Sequence, residues 1–315
     1  MKVGSGFLAV SKRKDPFVQT SHLPRITLVT PSFQHGQFIE KTIESVLAQN
    51  YPNLEYFIFD GGSTDNTVSV IRKYESRISF WQSTPDRGQS HAINRGLARA
   101  TGQLFNWLNA DDQLAEGALL QVGTAWNTHH PHVLSGPTVD VNLVTGAKAQ
   151  WGPRSFGRLR HFLGVGVIMP LSQPSTFVDR ETLLALGGVR EDLRFRMDWD
   201  LYLRLCLSLR GNLRFHPLEK VLSHSLIHPD TKTARHGPVF EKEVRAILSG
   251  LHSLLPTERF RVQHYLMREA VQEQVTAAQG VAQLVRLCGQ EPRLALYRFY
   301  WGALRRALTG EEGRA

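Results

Sequence analysis

From residue 24 onward, short apolar runs alternate with segments whose apolar residues recur every three or four positions. Arg25-Ile26-Thr27-Leu28-Val29-Thr30 is a β-rich run, stopped by Pro31-Ser32-Phe33-Gln34-His35-Gly36. Ile39, Ile43, Val46 and Leu47 follow at helical spacing. A second buried strand over 54–59 ends in Asp60-Gly61-Gly62-Ser63-Thr64-Asp65, and Val68, Ile71 and Tyr74 mark the next helix. A third strand over 78–81 ends at Pro85-Asp86-Arg87-Gly88, before a helix carrying Ile93, Leu97 and Ala100. The fourth strand begins at Leu104 and stops abruptly in Asn109-Ala110-Asp111-Asp112. Strand and helix alternating with short connections predict βαβ units, a mostly parallel sheet and an α/β fold. The polar, glycine-rich groups all follow strands, so they converge on one sheet edge, where open α/β sheets bind ligands.

The regularity changes beyond a helix predicted over 115–129. Residues 132–150 alternate in places around Thr145-Gly146, which predicts short mixed or antiparallel strands. Helices are expected over 180–186, stopped by Gly187-Gly188, and over 199–209, with short strands near 213–216 and 221–225. From Val239 the pattern is helical, broken at Pro256 and Pro292. Residues 1–23 are polar and basic without periodicity and read as a disordered leader.

Composition adds three constraints. A net charge of +9 favours anionic partners. Cys206 and Cys288 have neither disulfide-framework nor zinc spacing, which fits a reducing compartment. The N-terminus does not read as a signal peptide, and the longest apolar stretch, 162–171, is about half a bilayer span. A soluble or peripheral cytoplasmic protein is expected.

Chemistry concentrates at the strand ends. Two adjacent carboxylates after a buried strand suit a hard cation such as Mg²⁺, which takes one or two carboxylates plus substrate phosphates. Asp111 and Asp112 equally suit a loop start. Asp60 is placed to accept hydrogen bonds from a nucleobase or ribose, or from its own turn. Arg87 is a candidate phosphate or base contact, or a solvated arginine. Asp198, ahead of a predicted helix, is a candidate base or an N-cap. His228 is a candidate metal ligand or a surface histidine. Neither a Gly-x-Gly-x-x-Gly fingerprint after the first strand nor a Gly-Lys-Ser/Thr phosphate loop is present.

In order along the chain stand Thr30-Pro31-Ser32-Phe33, Ser45 to Pro52, Asp60 to Thr67, Pro85 to Gln89, Leu108 to Asp112, Gln173 to Phe177 and Met197-Asp198-Trp199-Asp200-Leu201. Together with the His228 segment, they resemble the family 2 glycosyltransferases of the bacterial cell-surface polysaccharide branch. The resemblance runs to about residue 235. It implies a GT-A domain over 24–238, with a nucleotide-sugar half to 130 and an acceptor half beyond; the helical pattern over 239–315 lies outside the match and reads as a C-terminal extension. The resemblance implies inverting transfer from a nucleotide-diphosphate sugar to a glycan or lipid-linked hydroxyl. Pro31, Phe33 and Asp60 would line the nucleoside pocket, closed by Asp86 and Arg87. Asn109 and Asp111 would meet the donor. Asp111, Asp112 and His228 would hold Mg²⁺ or Mn²⁺, and Asp198 would be the base. Four positions depart from the pattern: Asn109 replaces the first acid of the Asp-x-Asp motif, Met197 the acid before the base, His91 is unusual in its loop, and Leu226 replaces an arginine, so diphosphate binding would draw on Lys232.

Two rivals are a sugar nucleotidyltransferase and a degenerate sugar-nucleotide-binding module. The first should carry arginine and lysine in its first loop, which Pro31 to Gly36 lacks. A nucleic-acid role has no supporting motif. Leu294, Tyr297, Trp301, Leu304 and Leu308, flanked by arginines, resemble an interfacial helix for an anionic membrane, or a helix packed on its own domain.

Overall fold

The computed structural model describes residues 23–163, 167–229, 231 and 237–273. The expectations for residues 1–22, Lys232, Cys288 and the 294–308 helix lie outside these.

Strands β1 (Ile26–Ser32), β2 (Leu54–Asp60), β3 (Phe80–Ser83) and β4 (Leu104–Trp107) are parallel. Helices α1 (Ile39–Leu47), α2 (Thr67–Lys73) and α3 (Gln89–Arg99) connect them. The strands read as unbroken apolar runs because helices cover both sheet faces. Side chains alternate between two cores. Ile26, Leu28, Tyr56, Ile58 and Leu104 pack with α1, α2 and α4 (Ala118–His129). Val29, Phe57, Phe59, Phe105 and Trp107 pack with α3 and with the later helices α6 (Met197–Ser208), α7 (Gly237–Ser249) and α8 (Pro256–Glu273). Helix α3 lies close on β1 through Gly96, where a Cβ would sit 2.4 Å from Val29 Cγ2.

Further strands are β5 (Gln113–Leu114), β6 (Val133–Ser135), β7 (Thr138–Asn142), β8 (Lys148–Trp151), β9 (Thr176–Asp179), β10 (Phe215–Pro217) and β11 (Ser223–Ile227), with α5 (Arg180–Ala185) after β9. Among the described residues they complete a seven-stranded sheet, β10-β6-β9-β4-β1-β2-β3, and a four-stranded sheet, β5-β11-β7-β8. Strand β9 is antiparallel to both β4 and β6 and splices the two halves of the large sheet. The hydrophobic pattern predicts neither β9 nor the two-residue β5. A buried hydroxyl cluster ties the small sheet to the turn that enters β9: Thr138 Oγ1 of β7 bonds with Ser223 of β11 and with Ser172 and Ser175 of that turn.

One expectation changes. Helix α6 starts at Met197, so Asp198 lies inside its first turn and Arg196 takes the N-cap position. Leu159, Phe162, Leu163 and Leu171 are buried in the core. Among the described residues no helix is long and apolar enough to cross a membrane.

Candidate active site

The loops after β1, β2, β3 and β4 open one cleft of about 900 Å³. Pro31, Phe33, Asp86, Arg87, Asn109, Asp111, Asp112 and His228 all line it. These residues lie far apart in sequence, and the parallel strand ends bring them to one edge. Phe33 is 57% exposed, a large apolar face left open at the mouth. Gly61 lies beneath it, where a Cβ would crowd both Phe33 and Asp86. Gly62 turns with φ +85°, a conformation that favours glycine.

Asp60 is placed differently from the expectation. It is fully buried and absent from the lining. Its carboxylate accepts from Gly62 N at 3.1 Å, Ser63 N at 2.8 Å, and Ser63 Oγ and Ser83 Oγ at 2.6 Å each. Those four bonds fill a carboxylate's acceptor sites, so in this structure Asp60 shapes the loop beneath the cleft. Arg87 reaches across the mouth to Glu191 Oε2 at 2.6 Å. With the Arg87 side chain 70% exposed, this is a weak surface ion pair.

At the cleft floor Asp111 Oδ2 lies 3.2 Å from His228 Nε2. The His228 ring stacks on Phe38 with centroids 4.3 Å apart, which fixes its plane. Its Nδ1 is buried without a hydrogen-bond partner. Asp112 is 3% exposed and takes a 3.0 Å bond from Asn109 Nδ2. Asn109 Oδ1 accepts from Gln89 Nε2 at 2.7 Å. Burial, with the Asp111 carboxylate beside it, pushes the Asp112 pKa up to about 8, against hydrogen bonds from Ser225, Asn109 and the Leu226 amide. Among the described residues no three carboxylate, imidazole or thiol side chains form a preformed metal cage. The donor set nevertheless fits a hard divalent ion: the Asp111 carboxylate and His228 Nε2 lie side by side in the cleft, and the Asp112 carboxylate stands beside Asp111.

A second lobe of about 530 Å³ adjoins the first. Gln89, Asn109, Asp112, Arg194, Ser225 and Thr231 line both lobes, so they meet at the Asn109–Asp112 turn. Asp198 lines only the second lobe, with Trp151, Met169, Gln173, Arg196 and Phe240. Its Oδ1 accepts from Trp199 N at 2.7 Å. The pattern of apolar positions misses Glu243, Arg194 and Arg196. Glu243, on α7, accepts from the consecutive amides of Arg194, Phe195 and Arg196 at 2.8, 3.0 and 2.8 Å. It thereby holds the turn that enters α6.

The glycosyl transferase family 2 model matches residues 27–183. An uncharacterized glycosyltransferase of Mycobacterium tuberculosis is 30% identical over 187 residues, covering 58% of this chain and 70% of that protein. The chain belongs to glycosyl transferase family 2. As a glycosyltransferase it is also 29% identical, over 122 residues, to the GalNAc(5)-diNAcBac-PP-undecaprenol beta-1,3-glucosyltransferase of Campylobacter jejuni, covering 38% of this chain and 40% of that one. Its fold is the GT-A glycosyltransferase fold. Residues 1–349 of S. aureus TarS, solved with UDP-GlcNAc, superpose with a TM-score of 0.59 at 16% identity, covering 92% of this chain and 93% of that chain. The chain spans about half, 53%, of the longer TarS chain. The mannosyltransferase PcManGT of Pyrobaculum calidifontis, solved with GDP-Man and Mn²⁺, superposes with a TM-score of 0.54 at 18% identity, covering 94% and 89%.

Proposed function

We propose that this glycosyltransferase moves a sugar, with inversion, from a nucleotide-diphosphate sugar to a hydroxyl of a glycan or lipid-linked glycan in cell-surface polysaccharide synthesis, at the cytoplasmic face of the membrane. The observation that carries the proposal is the division of labour in the cleft. The first lobe offers an open aromatic face, Arg87 and the Asp111–His228 pair. The second holds Asp198. Asp111 and Asp198 line separate lobes that meet at the Asn109–Asp112 turn, which supports different roles for the two acids, one toward a leaving group and one toward a nucleophile. The Campylobacter relative, whose name includes an undecaprenol-linked glycan, supports the acceptor class. The Mn²⁺ bound to PcManGT supports a metal requirement.

In this reading Phe33 stacks on the nucleobase, beside Pro31 and Asp86. Arg87 exchanges Glu191 for the donor and closes over it. Asp60 supports the base pocket through its loop. Asp111 and His228 would hold Mg²⁺ or Mn²⁺, with Asp112 joining once deprotonated and Asn109 orienting it. The cation would neutralise charge on the departing diphosphate. Asp198 takes the proton from the acceptor hydroxyl as the new glycosidic bond forms.

Two measurements test this. Thermal shifts with UDP, GDP, dTDP and CMP, each with Mn²⁺ and then with chelator, should show stabilisation by one nucleotide that is lost on chelation. Asp198→Asn should lower transfer about 10²–10⁴-fold while that shift persists. No shift with any nucleotide, or full turnover in the variant, overturns the reading.

A further inference from the structure

We infer that the second lobe selects an acceptor bearing an oxyanion, a phosphate or carboxylate, close to the hydroxyl that is attacked. The inference rests on the reading of this lobe as the acceptor side. Arg194 and Arg196 both line the lobe, alongside Asp198. Among the described residues neither guanidinium has a carboxylate within ion-pair distance. Apart from Asp112 and Asp198, which line the lobe itself, the acids of the surrounding segments are engaged elsewhere. Glu191 pairs with Arg87, Asp192 with Arg190, and Asp200 with Arg204. Asp140 accepts from Trp151 Nε1 at 3.1 Å. Glu243, on α7, has its two oxygens occupied by the three amides of the turn itself. It holds the arginine-bearing backbone in place and leaves the side chains uncompensated.

Aromatic rings position both guanidinium groups. Arg196 lies 4.6 Å from the Phe240 ring centroid and Arg194 5.7 Å from that of Phe195. Phe195 and Phe240 pack edge to face at 5.1 Å. Ring faces attract a cation without consuming its hydrogen-bond donors. Arg196 Nε is buried with no hydrogen-bond partner, a loss an acceptor oxygen would repair. Two pre-positioned guanidinium forks two residues apart suit a phosphate or carboxylate, which they can bind in bidentate fashion. A neutral glycan would leave both unpaired.

The test titrates the full chain in chelator, without nucleotide, with glycerol 1-phosphate, glucuronate and glycerol. It reads tryptophan fluorescence against a Trp151→Phe control, because Trp151 lines the same lobe. Saturable responses to either anion, absent for glycerol and weakened about tenfold or more in the Arg194→Gln/Arg196→Gln variant, are expected. The tighter of the two anions assigns phosphate or carboxylate. Three results would overturn the inference: an equal response to glycerol, a response that survives the double substitution but is lost in Arg87→Gln, or no saturable response up to about 50 mM. Because neither nucleotide nor metal is present, this outcome is independent of the nucleotide thermal shifts.

Discussion

Single side chains set the electrostatics of the cleft, and Asp112 does so most directly. Its pKa, raised to about 8, means that the folded protein binds a proton there that the unfolded chain releases near 3.8. The metal-free protein therefore has this contribution in full below about pH 4 and loses it as pH rises through about 8. Melting temperatures of chelated protein should fall from pH 5 to 8 more steeply in wild type than in Asp112→Asn. The stabilisation added by Mn²⁺ should grow over the same range, because the ion replaces the proton. His228→Ala should weaken Mn²⁺ about tenfold or more in a titration at fixed pH. Phe33→Ala removes the open aromatic face and should cost about 1 kcal/mol of nucleotide binding, roughly fivefold in Kd by calorimetry.

Elements differ in how plainly they could be read from the chain. The four parallel strands and their helices were legible because strands covered on both faces must be apolar, and α1, α2 and α3 bury one stripe each. Strand β9 escaped because Thr176-Phe177-Val178-Asp179 is short and its partners are more than 40 residues away. The cleft-lining residues after β1, β3 and β4 were legible as polar breaks following apolar runs. Asp60 gave the same signal, yet of the serines that saturate it one is on its own loop and the other, Ser83, ends the neighbouring strand β3. Glu243 looked like an ordinary helix-surface acid, since its three amide partners lie 47 to 49 residues earlier. Glu243→Ala should cost about 2 kcal/mol and speed amide exchange at Arg194, Phe195 and Arg196. Gly96→Ala should destabilise by about 1–3 kcal/mol, because α3 cannot clear Val29 without moving off the sheet.

Across the whole molecule, the helices beyond the family-matched region are part of the same body. Val244, Ile247 and Leu248 of α7 and Val262 and Tyr265 of α8 are buried in the core that also holds Trp199 and Phe105. A chain stopped at residue 236 should expose that surface and lose its cooperative melt, whereas removal of a merely appended domain would not. The splice made by β9 carries a further consequence, for the time course of folding. Strands β1 to β4 pair among themselves within residues 26–107, while β6, among the described residues, pairs only with β9 and β10. The first four strands can therefore assemble while the ribosome is still delivering the remainder. Strand β6 must wait until residues 176–179 arrive, and a loop that long closes slowly. Pulse-labelled amides of β1, β2 and β4 should gain protection in an early phase, and those of β6 and β10 in a later one.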